Sequence, residues 1–161
     1  MPNSKYYEHG WRLSVGIVLI NKEKKIFMGE RIDNMGSWQM PQGGVKVTFN
    51  EALENAAKRE LFEETGVTNA EIINKTKAWH YYYLPNSLRK KLWGGKFLGQ
   101  KQRWFLFQFA GEETDINLNV HKKPEFNNWK WVEPNQVCSE IISFKKEIYE
   151  KVLKEFELIS I

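Results

Sequence analysis

The chain is poor in the residues that staple or anchor a protein. Cys138 is the only cysteine among 161 residues, which excludes an intrachain disulfide and suits a reducing compartment, so a cytoplasmic protein is expected. With no His or Asp motif around it, Cys138 is poor material for a nucleophilic site. No window approaches the roughly 20 apolar residues of a membrane-spanning helix. The stretch from Met1 to Tyr7 holds no apolar run of the kind a secretion leader carries, so no membrane association is expected. Repeats, low-complexity tracts and linkers are also missing, which leaves one domain over residues 1–161, with residues 1–10 as an N-terminal tail.

Aromatic residues are abundant instead, at 14% of the chain with seven tryptophans, enough for stacking surfaces as well as a core. The net charge of +4 favours polyanionic partners. Leu13 to Ile20 is apolar and β-branched, and Asn21–Lys25 reads as a turn into a second strand from Ile26 to Arg31. Later strands are expected over Glu71–Tyr83, Gln102–Phe109 and Trp129–Val132. In the second of these, Trp104, Leu106 and Gln108 alternate with Phe105, Phe107 and Phe109. Ile148, Val152, Phe156 and Ile159 recur at helical spacing near the end, within 135–161. His80, in the dense run Trp79–Tyr83, reads as structural.

Chemistry concentrates in Arg59-Glu60-Leu61-Phe62-Glu63-Glu64-Thr65-Gly66-Val67. On a helix, expected at about residues 50–65 with Asn50 as N-cap, Glu60, Glu63 and Glu64 fall at i, i+3 and i+4 and crowd one face. An acidic run is often only a solvated face. Three carboxylates this close repel, however, and a hard divalent cation removes the conflict while leaving positions for water and phosphate oxygens. Gly66 serves as a C-cap. Arg59 is expected to anchor the helix by pairing with Glu51, a structural role for both.

The string resembles the signature of the Nudix hydrolases: Gly, five residues, Glu, seven residues, then Arg-Glu-apolar-any-Glu-Glu-any-Gly-apolar. Every fixed position from Glu51 to Val67 matches. Seven residues separate Gly43 from Glu51 where the family has five, and Val45 stands where the glycine is expected, so a two-residue bulge is expected in this loop. The resemblance implies an α+β chain in the Nudix fold, a mixed sheet sandwiched between helices (α/β/α). It also implies Mg²⁺ or Mn²⁺ as cofactor, with Gly43, Glu60, Glu63 and Glu64 at the metal and one of the three glutamates accepting the proton of the attacking water.

Further strings are similar to one branch of the family: Trp11–Gly16, Trp38–Gly44, Gly99–Phe105, Pro124-Glu125-Phe126 with Trp129-Lys130-Trp131, and Ser143-Phe144-Lys145. That branch comprises bacterial RNA 5′-pyrophosphohydrolases, also described as dinucleoside polyphosphate hydrolases and, in some pathogens, invasion-associated proteins. The resemblance implies conversion of tri- or diphosphorylated RNA 5′ ends to monophosphate, and cleavage of dinucleoside polyphosphates. It adds Glu125 as a fourth metal carboxylate and assigns Arg12, Arg31, Tyr83, Phe144 and Lys145 to substrate binding. Phe144 can also be read as a core aromatic at a helix start. A monomer is expected, and an activating protein partner stays open. Two other readings remain: a pyrophosphohydrolase of free nucleotides, and a non-catalytic RNA-binding module.

Overall fold

Among the residues that the computed structural model describes (4–141 and 143–160, without the Ser143 side chain), eight strands and three α-helices follow one another. They are β1 (Trp11–Ile20), β2 (Ile26–Arg31), β3 (Trp38–Gln39), β4 (Gln42–Gly44), α1 (Leu53–Thr65), β5 (Ala70–Lys75), β6 (His80–Tyr83), α2 (Asn86–Arg89), β7 (Gly99–Phe109), β8 (Phe126–Val132) and α3 (Ser143–Glu155). Residues 1–3 of the expected tail and Ile161 at the end of the expected last helix lie outside the described residues.

The strands join in one mixed sheet. Its path runs β3-β2-β1-β7-β5, with β4 paired to β1, β6 to β7 and β8 to β2. β1 and β7 run parallel from Trp11↔Gly99 to Ile20↔Gln108, and the other pairings are antiparallel. A strand in the middle of such a sheet is covered on both faces, which is why β1 from Val15 to Ile20 is continuously apolar rather than alternating.

Alternation instead divides β1 and β7 between two cores. Val15, Ile17, Leu19, Phe105 and Phe107 face α1, where they meet Leu53, Ala56, Ala57 and Leu61. Val18, Ile20, Trp104 and Leu106 face α3, where they meet Ile148, Tyr149, Val152 and Leu153. This is the expected Nudix sandwich, and the α1 layer brings the acidic motif against the sheet.

Several local expectations change. The stretch 71–83 is not one strand. It breaks at Thr76, whose N–H donates to the Trp104 carbonyl at 2.9 Å and whose Oγ1 accepts the Trp104 N–H at 3.1 Å; β5 and β6 then pair separately with β7. Within the N-terminal tail, Tyr6 lies 5.2 Å from the Trp79 ring, Lys101 Nζ donates to the Tyr6 carbonyl at 2.9 Å, and the Tyr81 hydroxyl donates to Glu8 at 2.7 Å. α3 stops at Glu155, and Glu157 turns left-handed at φ 59°. Cys138 packs, half-buried, against the α3-side core. His80 Nε2 lies 3.3 Å from Glu155 Oε1, tying β6 to α3. Among the described residues no helix is long and apolar enough to cross a membrane.

Candidate active site

α1 buries Leu53, Ala56, Ala57, Glu60, Leu61, Glu64 and Thr65. That is the i, i+3, i+4 stripe of an amphipathic helix, with two carboxylates placed where leucines would ordinarily sit. Helix formers fill the segment, and Gly66 ends it at φ 75°, its N–H donating to the Phe62 carbonyl at 2.8 Å. The start differs from expectation. Asn50 is not the N-cap; it closes a 3-10 turn (Val47–Phe49) in a left-handed conformation, and Ala52 precedes the first helical turn. The extra loop length is therefore folded into a turn rather than a two-residue bulge. Glu51 N–H closes that turn on the Lys46 carbonyl at 3.2 Å, and the register of Arg59 to Val67 is kept.

Arg59 is the hub. Its Nε and Nη2 grip the two Glu51 oxygens at 2.8 Å each, Nη2 also reaches the Gly44 carbonyl at 2.8 Å, and Nη1 donates to Glu60 at 2.7 Å and Glu63 at 3.3 Å. The expected Arg59–Glu51 pair is thus a bidentate one. It ties the Gly44–Glu51 loop to the helix, because Glu51 Oε1 also accepts the Lys46 N–H at 2.9 Å. With side-chain exposures of only 21% for Arg59 and 13% for Glu51, Glu51→Ala should lower stability by about 2 kcal/mol in chemical denaturation. An unchanged denaturation midpoint would show the pair to be incidental.

The two buried carboxylates face each other. Burial pushes the Glu64 carboxyl well up, and the charges of Glu60 and Glu125 push the same way, while the Gln42 N–H opposes them. Burial also raises Glu60, against the pull of Arg59. A Cβ on Gly43 would overlap the Glu60 carboxylate, so only glycine lets this backbone and this side chain meet. Glu63 leans to Arg59, and Glu125 stands exposed just before β8 begins. Among the described residues no three His, Cys, Asp or Glu side chains are gathered closely enough to hold an ion; Arg59 takes two of the like charges to itself. The donor set nonetheless fits a hard divalent cation. It is all carboxylate and backbone oxygen, with two acids whose burial and mutual repulsion an added positive charge would relieve.

Cations stand near the acids: Arg12 feels Glu60, Glu64 and Glu125, Lys145 feels Glu64 and Glu125, and Arg31 feels Glu125. Arg12 donates to Gln100 Oε1 at 3.1 Å and lies 4.1 Å over the Trp93 ring. Burial lowers its pKa, and the charges of Glu60, Tyr82, Glu125 and Glu64 support its protonated form. Lys145 is buried and donates to Gln39 Oε1 at 2.9 Å. Arg31 is held in a fork by Asp33, at 2.8 and 2.6 Å. Phe144 is half-buried, 6.0 Å from Tyr82, and packs against the α3-side core, so one part of its ring serves packing while the rest stays accessible.

The NUDIX domain family matches residues 10–155 of this chain. The chain belongs to the Nudix family. The NUDIX domain marks a hydrolase of acid anhydrides, and Nudix hydrolases generally need divalent metal ions. Among curated relatives, a protein of Wolbachia pipientis subsp. Culex pipiens named RNA pyrophosphohydrolase is 47% identical over 152 residues, 94% of this chain and 93% of its own length. A protein of the same name from Rickettsia prowazekii is 44% identical over 156 residues, 96% and 95% of the two chains. The solved E. coli dihydroneopterin triphosphate pyrophosphohydrolase superposes with a TM-score of 0.66 at 19% identity, covering 89% of this chain and 98% of that one. This last likeness speaks for the Nudix fold alone.

Tyr83 and Tyr82 look to opposite faces of β6. Tyr83 is 63% exposed and packs 5.0 Å from Trp11. Tyr82 points the other way, into the α3-side core, and its hydroxyl accepts from Gln100 Nε2 at 2.6 Å and Gln42 Nε2 at 3.4 Å. Gln42 Oε1 in turn accepts from Gln102 at 3.3 Å, and Gln102 Oε1 from the Trp104 indole at 3.1 Å. This amide chain, together with Trp93 under Arg12, was missed from sequence. The available signal was Gln100 and Gln102 at alternate positions on a covered strand, where glutamine is seldom buried without a partner.

Proposed function

We propose that this Nudix hydrolase converts 5′-triphosphorylated or diphosphorylated RNA ends to 5′-monophosphate and also cleaves dinucleoside polyphosphates, using Mg²⁺ or Mn²⁺. The observation that carries the reading is the buried Glu60–Glu64 pair, set against glycine backbone, with Arg12 and Lys145 in its field and Arg31 near Glu125. The extensive identity to proteins named RNA pyrophosphohydrolase supports it. A divalent ion held by Glu60, Glu63, Glu64, Glu125 and the Gly43 backbone would neutralise phosphate oxygens and acidify a water towards neutral pH. Arg59 keeps Glu60 and Glu63 aimed, and one of the three helix glutamates accepts the proton of the attacking water. Arg12, Arg31 and Lys145 offer positive charge to the phosphate chain, and Phe144 offers a stacking face to a base. A lone cysteine suits a reducing cytoplasm.

Product analysis tests this against its rivals. Triphosphorylated RNA, dinucleoside polyphosphates and free nucleoside triphosphates are each incubated with protein and Mg²⁺ or Mn²⁺. Monophosphorylated RNA as the main product is expected. Faster turnover of free nucleotides would favour the nucleotide-pool reading, and RNA binding without cleavage of any substrate would favour the non-catalytic one.

Lys145 gives the reading a pH signature. Burial first, then Arg31, hold its ammonium down to about 8, against the charges of Glu64, Glu125 and Asp33. The KM for triphosphorylated RNA should therefore rise as pH passes upward through about 8, and Lys145→Met should show a high KM without that rise. The sign for stability is opposite. The unfolded chain holds this proton more tightly than the folded protein, so between about 8 and the ordinary lysine value this group favours folding more as pH rises. A flat KM profile in the wild-type protein would remove Lys145 from the phosphate path.

A further inference from the structure

Aromatic walls stand on both sides of the carboxylates. Tyr82 and Phe144 lie on the α3 side. On the α1 side, a cavity of about 330 Å³ lies beside Glu60, Arg59 and Gly44 and is lined as well by Tyr7, Trp11 and Phe97. Its volume is in the range of small-molecule sites, roughly 300–1,000 Å³. The Trp11 indole is braced from outside, 5.1 Å from Tyr81 and 5.0 Å from Tyr83, so it is presented in a fixed place. Arg12 and Lys46 also line the cavity, and Arg12 feels the Glu60 charge. Cations and flat aromatic rings in one cavity that also touches Glu60 match a phosphate chain that ends in a nucleoside.

The two substrate types differ in what they would put there. An RNA 5′ end carries a nucleoside at one end of its phosphate chain and a bare phosphate at the other. A dinucleoside polyphosphate carries a nucleoside at both. We propose that the Tyr7–Trp11–Phe97 cavity receives the second nucleoside of a dinucleoside polyphosphate, with its base on Trp11 and its nearest phosphates beside Arg12 and Lys46. The inference rests on the phosphoanhydride reading above and assigns the half of the substrate that RNA lacks.

The test compares kcat/KM for a dinucleoside tetraphosphate and for a triphosphorylated RNA oligomer in Trp11→Ala, Phe97→Ala and Tyr7→Ala. Tyr7 lies in the N-terminal tail and is 37% exposed, so its variant stays informative if a strand variant folds poorly. The ratio of the two constants should shift about tenfold against the dinucleoside substrate through KM, the size expected for losing one base–aromatic stack. Equal losses on both substrates, no loss on either, or a shift against RNA, which would make the cavity the route of its following nucleotides, would each overturn the proposal. If the wild-type protein cleaves RNA but no dinucleoside polyphosphate, the cavity proposal falls and the RNA reading stands. If it cleaves neither, the functional reading itself falls.

Discussion

Glu64→Gln should lower turnover of triphosphorylated RNA by about 10²-fold or more while leaving the fold intact. Glu64 sits on the buried stripe of α1 beside Leu61, and its carboxyl is raised by burial and by the charges of Glu60 and Glu125. Glutamine keeps the size of the side chain and an oxygen for the Gln42 N–H. It removes the charge, and with it a cation ligand or the base. Removing a buried like charge also relieves repulsion, so the thermal midpoint of the ion-free protein should hold or rise. Steady-state rates and a melting curve on the same preparation check both halves. A near wild-type rate would mean that the reaction centre lies off this face of α1, and a collapsed melting curve would mean that Glu64 is a structural acid.

Gly43→Ala should be nearly as costly for the rate. Gly43 pairs with Val15 in the β4–β1 ladder, and its φ is not positive, so alanine suits the backbone itself. The added methyl would instead overlap the Glu60 carboxylate, the far end of a flexible side chain. That carboxylate would swing aside and leave the 2.7 Å contact with Arg59 Nη1. A displacement of about 1 Å at a reacting centre can cost on the order of 10²-fold in rate. Losing one charge-assisted hydrogen bond costs about 2 kcal/mol of stability. Activity should thus fall far more than folding does, as measured by kcat with Mg²⁺ or Mn²⁺ beside a denaturation curve. Unchanged activity would show that Glu60 works from another position.

The fold was legible where burial alone decides. The apolar run of β1 and the alternation of Trp104 and Leu106 with Phe105 and Phe107 announce a covered strand and a two-faced one. The α1 stripe carries its own periodicity, and the Arg59–Glu51 pair follows from one strong cation lying near one acid. What failed depended on tertiary partners. β3 and β4 are short strands whose pairing with β2 and β1, rather than their composition, defines them. The break between β5 and β6 is set by Thr76 bonding to Trp104, and no local turn residue marks it. Asn50 is a good N-cap residue in isolation, but closure of Lys46 onto Glu51 places it inside a turn. Alternation in Tyr81-Tyr82-Tyr83 gave two faces without saying which was the core; Tyr82 proves buried, and Tyr81 and Tyr83 stand exposed beside Trp11. Within the site, the acidic helix was readable, whereas the glutamine chain and the Trp93 stack under Arg12 arise only once β6, β7 and the loop after α2 come together.

The central claim is that the α1 glutamates serve cation-dependent hydrolysis at an RNA 5′ end. The direct measurement follows the 5′ end of a triphosphorylated RNA over time in wild-type protein, with Mg²⁺ or Mn²⁺ and again in excess chelator. The account predicts 5′-monophosphorylated RNA with release of its terminal phosphates when the ion is present, and an unchanged 5′ end when it is chelated. Undiminished conversion in excess chelator, or an unchanged 5′ end with either ion, would contradict it.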